Sequence, residues 1–214
     1  MKRLRTFRLR FGLALLGVLL SAAAPAATLL VLGDSLGAGY GLDAGAGWVA
    51  LLQQRLKAAD QPALRDWTVV NASVSGDTTA GGVARLPEAL QRFHPQVVAI
   101  ELGGNDGLRG QSLDAMRDNL RKLIGLARGA GARPLLFEMR IPSNYGPVYT
   151  QRFTQVFDEL AKQTKTPLVP FFLSAIATDP ARWFQDDGIH PNAAAQPQLV
   201  DAVWPSLEPL LLHP

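Results

Sequence analysis

Short apolar runs alternate with longer amphipathic segments along most of the chain. Five apolar runs predict strands at 28–32, 67–71, 97–102, 134–139 and 167–170. The first three of these runs show no apolar/polar alternation, a pattern typical of strands that are buried on both faces. Such strands belong inside a sheet that other elements cover on each side.

The segments between the apolar runs have the spacing of amphipathic helices. The predicted helices span 48–59, 79–92, 112–128, 148–165 and 192–211. In the second of them, Val83, Leu86, Leu90 and Phe93 recur every three or four residues, which places them on one face. Strands that alternate with helices over five units indicate an α/β protein with a five-stranded parallel sheet. Right-handed crossovers then place helices on both sides of the sheet, giving a three-layer α/β/α sandwich in a single domain.

The first part of the chain has a composition of its own. Residues 1–10 contain five Lys or Arg and no acid, and a continuous apolar stretch follows at 11–20. Small residues come next, in the sequence SAAAPAA. This is the three-part pattern of a secretory signal peptide, and we predict cleavage after Ala26.

An uncleaved membrane anchor is the alternative for this segment. Pro25 interrupts the apolar stretch, however, and residues 29–32 are needed for the first strand. We therefore expect a signal peptide at 1–26 and a folded domain at 27–214. The processed chain is expected to be periplasmic or secreted, with no stable membrane insertion.

The basic charge of the chain lies in its first segment. The whole sequence carries 21 Lys and Arg against 18 Asp and Glu, a formal net charge of +3. Removal of 1–26 takes away five of the 21 cations and no acid, which leaves 16 against 18 and a net charge of −2. A slightly acidic domain without a Lys/Arg cluster lacks the electrostatic footprint of nucleic-acid binding. The chain has no cysteine, which excludes disulfides, thiolate metal sites and a cysteine nucleophile.

The polar residues suited to chemistry gather in four loops. In parallel sheets of this kind, sites form at the carboxyl ends of the strands. Loops 33–37, 75–78 and 103–106 follow the first three strands, and loop 186–191 precedes the last helix. They bring a serine, a glycine amide, an asparagine amide and an Asp/His pair to one edge. Each loop alone has the composition of an ordinary turn, and it is their joint occurrence that indicates a site.

Ser35, Asp187 and His190 are the residues from which a nucleophilic relay can be built. A serine hydroxyl is a poor nucleophile until a base takes its proton, and imidazole is the usual base near neutral pH. Of the other histidines, His94 follows a predicted helix away from the edge and His213 is the penultimate residue. His190 follows Asp187 by three residues, a spacing that lets the carboxylate bind Nδ1 while Nε2 faces the nucleophile. We predict Ser35 as nucleophile, His190 as base and Asp187 as the group that orients the base.

Acyl transfer also needs hydrogen-bond donors for the negatively charged oxygen of its tetrahedral intermediate. The backbone N–H groups of Ser35 and Gly76 and the side-chain amide of Asn105 are donors of the right kind. All three lie in the loops at the predicted edge. We predict that together they form an oxyanion hole.

At these residues the sequence resembles the SGNH (GDSL) hydrolase superfamily, and within it the bacterial thioesterase I/lysophospholipase and arylesterase subgroup. The four blocks of that family have counterparts in GDSL at 33–36, Gly76, GGND at 103–106 and DGIHP at 187–191. The resemblance covers essentially the whole mature chain. It implies a flavodoxin-like α/β/α fold and the same serine, histidine, aspartate and oxyanion-hole assignments. It also implies a serine esterase that cleaves aryl esters, lysophospholipids or thioesters through an acyl-enzyme intermediate.

The resemblance further implies where the substrate binds. Leu108, Ile141, Pro142 and Tyr145 occupy loops that line the acyl groove in similar enzymes. Ordinary loop packing explains apolar residues at such positions equally well. The expected partner is a small acyl-ester or lipid substrate, and the mature chain is expected to be a monomer.

Two other folds share parts of this pattern. Gly33-x-Ser35-x-Gly37 matches the nucleophile elbow of α/β-hydrolases, although Ser35 follows the first strand rather than a central one. Glycines at 37, 39 and 41 resemble a dinucleotide-binding loop. That fingerprint requires an acidic residue at the end of the second strand, where this chain has Asn71. The first alternative also predicts ester hydrolysis, so it leaves the function unchanged.

Two further alternatives concern the function. A metal hydrolase built on Asp186, Asp187 and His190 needs further ligands, and the sequence has no His-x-x-x-His or similar cluster. A non-catalytic exported binding protein leaves the placement of the serine, aspartate and histidine unexplained. We predict that the reaction requires no metal and no other cofactor.

Overall fold

A five-stranded parallel sheet forms the centre of the structure, a computed structural model that describes residues 27–213. The signal peptide predicted at 1–26 lies outside the described residues. Between residues 27 and 213, no helix is both long enough and apolar enough to cross a membrane.

The sheet has the strand order β2-β1-β3-β4-β5, and all neighbouring strands are parallel. The strands are β1 (Thr28–Gly33), β2 (Thr68–Asn71), β3 (Val97–Glu101), β4 (Arg133–Phe137) and β5 (Leu168–Val169). This order is that of flavodoxin-like sheets. It confirms the predicted α/β class, the five-stranded parallel sheet and the flavodoxin-like arrangement.

The central strands β1 and β3 are buried as their unbroken apolar sequences predict. Residues 29–32 of β1 are completely buried, and so is almost every residue of β3. The one carboxylate in this pair of strands is Glu101, which ends β3 and lies opposite Gly33 of β1. The run at 67–71 is predicted to form a strand buried on both faces, and this prediction is wrong: β2 lies at the edge of the sheet and is partly exposed. The carboxyl ends of β1 and β3 therefore meet at the middle of the sheet edge.

Long helices connect the strands, and shorter ones follow several of them. Within the described chain the α-helices are α1 (Ser35–Ala38), α2 (Trp48–Lys57), α3 (Pro62–Arg65), α4 (Thr79–Phe93), α5 (Gly104–Leu108), α6 (Leu113–Gly129), α7 (Pro147–Thr164), α8 (Pro180–Trp183) and α9 (Gln196–Leu212). The five predicted helices correspond to α2, α4, α6, α7 and α9. Helices α4, α6 and α7 pack side by side on one face, and α2 packs against α9 on the other. The three-layer sandwich is confirmed.

The last helix begins four residues later than the sequence predicts. Asn192 caps a short 3-10 turn at Ala193–Ala195, because its Oδ1 accepts a hydrogen bond from the N–H of Ala195 at 3.2 Å. Helix α9 then begins at Gln196, with Pro197 in its first turn. Backbone N–H groups in the first turn have no intrahelical acceptor, so a proline, which lacks this N–H, is tolerated there. Asn192 therefore caps the 3-10 turn and not the long helix.

Candidate active site

Ser35, His190 and Asp187 form a continuous hydrogen-bonded chain at the carboxyl edge of the sheet. Ser35 begins α1 directly after β1, and its Oγ lies 2.8 Å from Nε2 of His190, 155 residues away in sequence. Nδ1 of the same ring lies 2.6 Å from Oδ2 of Asp187. With its proton on Nδ1, the ring donates to the carboxylate and accepts the serine hydroxyl at Nε2. The arrangement can therefore move a proton from serine to imidazole.

The Asp187 side chain is fixed by the turn that also carries His190. Its Oδ1 accepts hydrogen bonds from the N–H groups of Ile189 and His190, each at 2.9 Å. Burial raises the pKa of the Asp187 carboxyl. The hydrogen bonds from His190 and Ile189 and the charge of the imidazole outweigh this effect and lower the pKa to about 2. The carboxylate therefore stays ionised beside the imidazole at neutral and moderately acidic pH.

The loop that carries His190 is anchored to the loop that carries Ser35. Gln185 makes the connection: its N–H donates to the carbonyl of His190 at 2.8 Å. Its side-chain amide donates to the carbonyls of Tyr40 at 2.8 Å and Pro191 at 3.1 Å. The Tyr40 ring also contacts the imidazole, with 4.6 Å between the two ring centroids. These contacts hold the imidazole in register with the serine.

The structure brings Ser35, Gly76 and Asn105 to the wall of one pocket, which His190 also lines. Among residues 27–213, no acceptor pairs with the N–H of Ser35 or with the N–H of Gly76. Asn105 lies in α5, and its Nδ2 donates to Oδ2 of Asp34 at 3.1 Å. Two backbone N–H groups and one side-chain amide therefore belong to residues that line the pocket beside Ser35 and His190.

Gly76 lies in the loop between β2 and α4, and this loop is held at several points. The φ angle of Gly76 is 78°, in the left-handed region that favours glycine. Its carbonyl accepts a hydrogen bond from Nη2 of Arg109, which follows α5, at 2.8 Å. Arg85 of α4 pairs with Asp77 and donates to the carbonyl of Ala72 at 2.7 Å. The Gly76 loop is thus held by Arg85 of α4 and by Arg109, which follows α5.

A cavity of about 530 Å³ opens beside Ser35. Its apolar walls include Leu108, Met139, Ile141, Pro142, Phe171 and Leu173. Three of the four residues predicted from the sequence to contact substrate are among them. The fourth, Tyr145, does not line the cavity. Its hydroxyl donates to the carbonyl of Leu108 at 2.8 Å, so it supports the wall from behind.

Several residues of the site have no role predicted from the sequence, among them Asp34, Arg109 and Glu101. Asp34 caps α1, since its Oδ1 accepts from the N–H of Leu36 at 3.0 Å while its Oδ2 holds Asn105. Arg109 holds the Gly76 carbonyl, and Glu101 lies beneath the serine loop. The sequence contains a signal for two of these: Asp34 stands in the GDSL block, and Glu101 is a carboxylate in an otherwise apolar strand.

The dinucleotide-binding fold and the metal site find no support in the geometry. Nδ2 of Asn71 donates to the carbonyl of Gly37 at 2.8 Å, so the end of β2 supports the serine loop and carries no acidic side chain for a ribose. Within the described part of the chain, no group of three or more His, Asp and Glu side chains is placed to hold a metal ion.

Comparison with known proteins gives a consistent result. Residues 31–196 match the model of the GDSL-like Lipase/Acylhydrolase family. The chain is 53% identical to Esterase TesA of Pseudomonas aeruginosa over 194 residues, which cover 91% of this chain and 94% of the relative. It is 44% identical to Thioesterase 1/protease 1/lysophospholipase L1 of Escherichia coli over 207 residues, covering 97% and 96%.

A solved structure agrees with these relatives. Esterase EstA from Pseudoalteromonas sp., in a form inhibited by monoethylphosphonate, superposes with a TM-score of 0.81 at 40% identity, and the match covers 87% of this chain and 99% of that one. Family match, sequence identity and fold thus agree over nearly all of the described residues. The chain therefore belongs to the GDSL-like lipase/acylhydrolase family, and it is a carboxylic-ester hydrolase.

Proposed function

We propose that the chain cleaves small acyl esters, among them aryl esters, lysophospholipids and thioesters, through an acyl-enzyme intermediate on Ser35. The observation that carries this proposal is the hydrogen-bonded chain from Ser35 through His190 to Asp187 beside an apolar cavity. The names of the Pseudomonas and Escherichia relatives, an esterase and a thioesterase/lysophospholipase, support this range of substrates.

Acylation begins with proton transfer from Ser35 to Nε2 of His190. The serine Oγ bonds to the acyl carbon, and the carbonyl oxygen becomes an oxyanion. The N–H groups of Ser35 and Gly76 and the amide of Asn105 stabilise this charge. The tetrahedral intermediate then collapses. Its bond to the leaving oxygen or sulfur breaks, and the leaving group takes the proton from His190.

Deacylation repeats the same steps with water in place of serine. His190 takes a proton from the water, whose oxygen attacks the acyl carbon. The oxyanion forms again in the same hole, and the bond to the Ser35 Oγ breaks as His190 returns the proton to it. Asp187 keeps the imidazole in one tautomer throughout and stabilises the imidazolium form. Every proton in the cycle therefore passes through Nε2 of one residue.

The cavity suits an acyl chain better than a polar group. We propose that Leu108, Ile141 and Pro142, which lie on its walls, contact the chain, and that Tyr145 acts through the carbonyl of Leu108. Its volume of about 530 Å³ is within the range of small-molecule pockets. Burial of each methylene contributes about 0.8 kcal/mol. The kcat/KM for homologous esters should therefore rise with acyl length until the cavity is filled.

The proposal is tested with p-nitrophenyl esters of increasing acyl length, using the chain without residues 1–26. Ser35→Ala removes the nucleophile, whereas Ser75→Ala changes another serine that lines the same cavity. We expect Ser35→Ala to lose nearly all turnover and Ser75→Ala to retain most of it. Turnover in Ser35→Ala at the wild-type rate would contradict the assignment of the nucleophile.

A covalent probe tests the intermediate directly. A p-nitrophenyl alkylphosphonate offers phosphorus to the serine, loses p-nitrophenolate and leaves a stable adduct. We expect mass spectrometry to find one adduct per chain, on the peptide that contains Ser35, and none in Ser35→Ala. A wild-type chain that neither turns over esters nor takes the label would instead support a non-catalytic binding protein.

We also propose that the mature protein is an exported monomer. Residues 1–10 are strongly basic, an apolar stretch follows, and the processed chain carries more acids than bases. The domain then meets acyl esters and lipids in the periplasm or outside the cell, with no nucleic-acid partner. Expression of the full chain, followed by fractionation and N-terminal sequencing, should give a mature protein that begins at Ala27. A protein retained in the membrane with Met1 intact would contradict export with cleavage.

A further inference from the structure

Glu101 is a buried carboxylate for which the reaction has no direct use. It ends β3 and is completely buried, in a strand whose other residues are apolar. It does not line the cavity beside Ser35, so it cannot touch substrate. Burial of an ionisable side chain costs free energy unless its groups are paired. A carboxylate at this position therefore calls for a specific task.

The contacts of Glu101 are with the backbone on either side of the nucleophile. Its Oε2 accepts hydrogen bonds from the N–H of Asp34 at 3.2 Å and from the N–H of Gly37 at 3.1 Å. The two amides bracket Ser35, so a single oxygen holds the Gly33–Asp34 peptide before the serine and the first turn of α1 after it.

The packing around Oε2 explains the first glycine of the GDSL sequence. Gly33 lies opposite Glu101 in the sheet, and a Cβ at position 33 would lie 2.3 Å from Oε2. Any side chain there would push the carboxyl away from the serine loop. Glycine at this position therefore preserves the contact.

The same contact extends to the oxyanion hole. Asp34, whose N–H is held by Glu101, accepts from the side-chain amide of Asn105 at 3.1 Å through Oδ2. We propose that Glu101 is a positioning residue. It fixes the Ser35 hydroxyl and N–H by holding the backbone on both sides of the serine, and it fixes the Asn105 amide by holding Asp34. This proposal rests on the roles of Ser35 and Asn105 proposed above.

The buried carboxyl is suited to this task in its neutral form. Burial, and secondly the charge of Asp34, raise the pKa of the Glu101 carboxyl well above its ordinary value. A neutral carboxyl still accepts both amides at Oε2, and it places no negative charge beneath a site where an oxyanion develops. Glutamine has the same shape, one carbonyl acceptor and no charge, so it should keep both contacts of Oε2, while its NH2 group takes the place of Oε1, which has no hydrogen-bond partner among the described residues.

The first test compares Glu101→Gln with Glu101→Met, which fills the space but cannot accept a hydrogen bond. With a p-nitrophenyl ester, we expect Glu101→Gln to keep kcat within about threefold of the wild type. We expect Glu101→Met to lower kcat by about 10- to 100-fold with KM nearly unchanged, because small displacements of reacting groups cost rate rather than binding. Gln53→Met is the matched control. It removes the side-chain oxygen that accepts a 2.7 Å hydrogen bond from the N–H of Val69. This bond lies away from the site, so its loss should leave kcat unchanged.

A second variant disturbs the contact of Glu101 with the serine loop from the neighbouring strand β1, and it serves if Glu101→Met does not fold. Gly33→Ala should displace the carboxyl and reproduce the fall in kcat. Gly125→Ala, where a Cβ meets nothing within 4 Å, should not. Wild-type kcat in a folded Glu101→Met or Gly33→Ala chain would overturn the proposal, and so would an equal loss in Glu101→Gln and Glu101→Met. Turnover in Ser35→Ala would instead overturn the proposed function, which separates the two failures.

Discussion

Asp187 acts on His190 through both of its carboxylate oxygens. Oδ1 binds two backbone N–H groups of its own turn, which fixes the side chain, and Oδ2 binds Nδ1 of the imidazole. The charge of the carboxylate favours the tautomer with the proton on Nδ1, and that leaves Nε2 free to accept from Ser35. An amide side chain of the same shape can satisfy the turn but has no charge to offer the ring.

Replacement of Asp187 by Asn should therefore separate folding from catalysis. We expect Asp187→Asn to fold, with a melting temperature near that of the wild type, and to lose kcat by on the order of 10³- to 10⁴-fold, because the amide can hold the ring in the wrong tautomer. Ester turnover and thermal unfolding monitored by circular dichroism give the two quantities. Activity close to that of the wild type would exclude Asp187 as the residue that orients the base.

The Asp187 carboxylate should also make a small contribution to the free energy of unfolding, which is lost in acid. Its pKa falls from 3.8 to about 2 on folding. The stabilisation is therefore complete above pH 3.8 and is lost as the pH falls toward 2. Because the side chain is more than a third exposed, solvent screening keeps the effect modest. Urea unfolding at pH 6 and pH 3 should show a larger loss of stability in the wild type than in Asp187→Asn. An equal loss in both chains would mean that Asp187 keeps its ordinary pKa.

At the level of elements, the site is built from loops that are linked by single long-range contacts. Gln185 links the histidine loop to Tyr40, which follows α1, and Asp34 links α1 to Asn105 of α5. Arg109 links the end of α5 to the Gly76 loop. Each contact sets the distance between two loops that carry different parts of the reaction, so its loss should affect rate more than stability.

Arg109 provides a direct test, because it is exposed and lies at the end of a short helix. Arg109→Ala frees the Gly76 carbonyl and should lower kcat about 2- to 10-fold, the effect of one hydrogen bond of about 0.5–1.5 kcal/mol. KM and the melting temperature should change little. Arg121→Ala removes another exposed arginine, paired with Asp118 on α6, and serves as the control for the lost charge. If both variants lower kcat equally, the contact with Gly76 has no specific role.

The sequence predicts the long elements of this fold well and its short ones poorly. All five strands and five long helices follow from hydrophobic spacing, although the edge strand β2 is partly exposed where its apolar run predicts burial. Helices α1 and α5 have only four and five residues, too few to show a helical period, although they carry Ser35 and Asn105. The Asp34–Asn105 and Arg109–Gly76 contacts join distant loops, so no local pattern predicts them. The sequence did predict the meeting of Ser35 with His190, because that chemistry needs those residue types.

At the scale of the whole molecule, the centre of the sheet edge holds two neighbouring carboxyl groups away from water. Burial raises the pKa of Asp34, and burial together with the charge of Asp34 raises the pKa of Glu101. A folded chain with raised carboxyl pKa values binds more protons than the unfolded chain. Its stability therefore falls as the pH rises above the unfolded value, which is 4.5 for Glu101. This loss of stability accompanies the contacts by which the two carboxyl groups order the serine loop.

Glu101→Gln should remove the part of this cost that belongs to Glu101. Because the glutamine does not titrate, we expect its stability relative to the wild type to increase with pH over the range above 4.5, the ordinary pKa of the Glu101 carboxyl. Urea midpoints measured at several pH values in this range give the difference directly. If the difference between the two chains does not change with pH, Glu101 ionises in the folded protein as readily as in the unfolded chain. In that case a charged carboxylate would lie beneath the serine loop, and glutamine would no longer be its electrostatic equivalent.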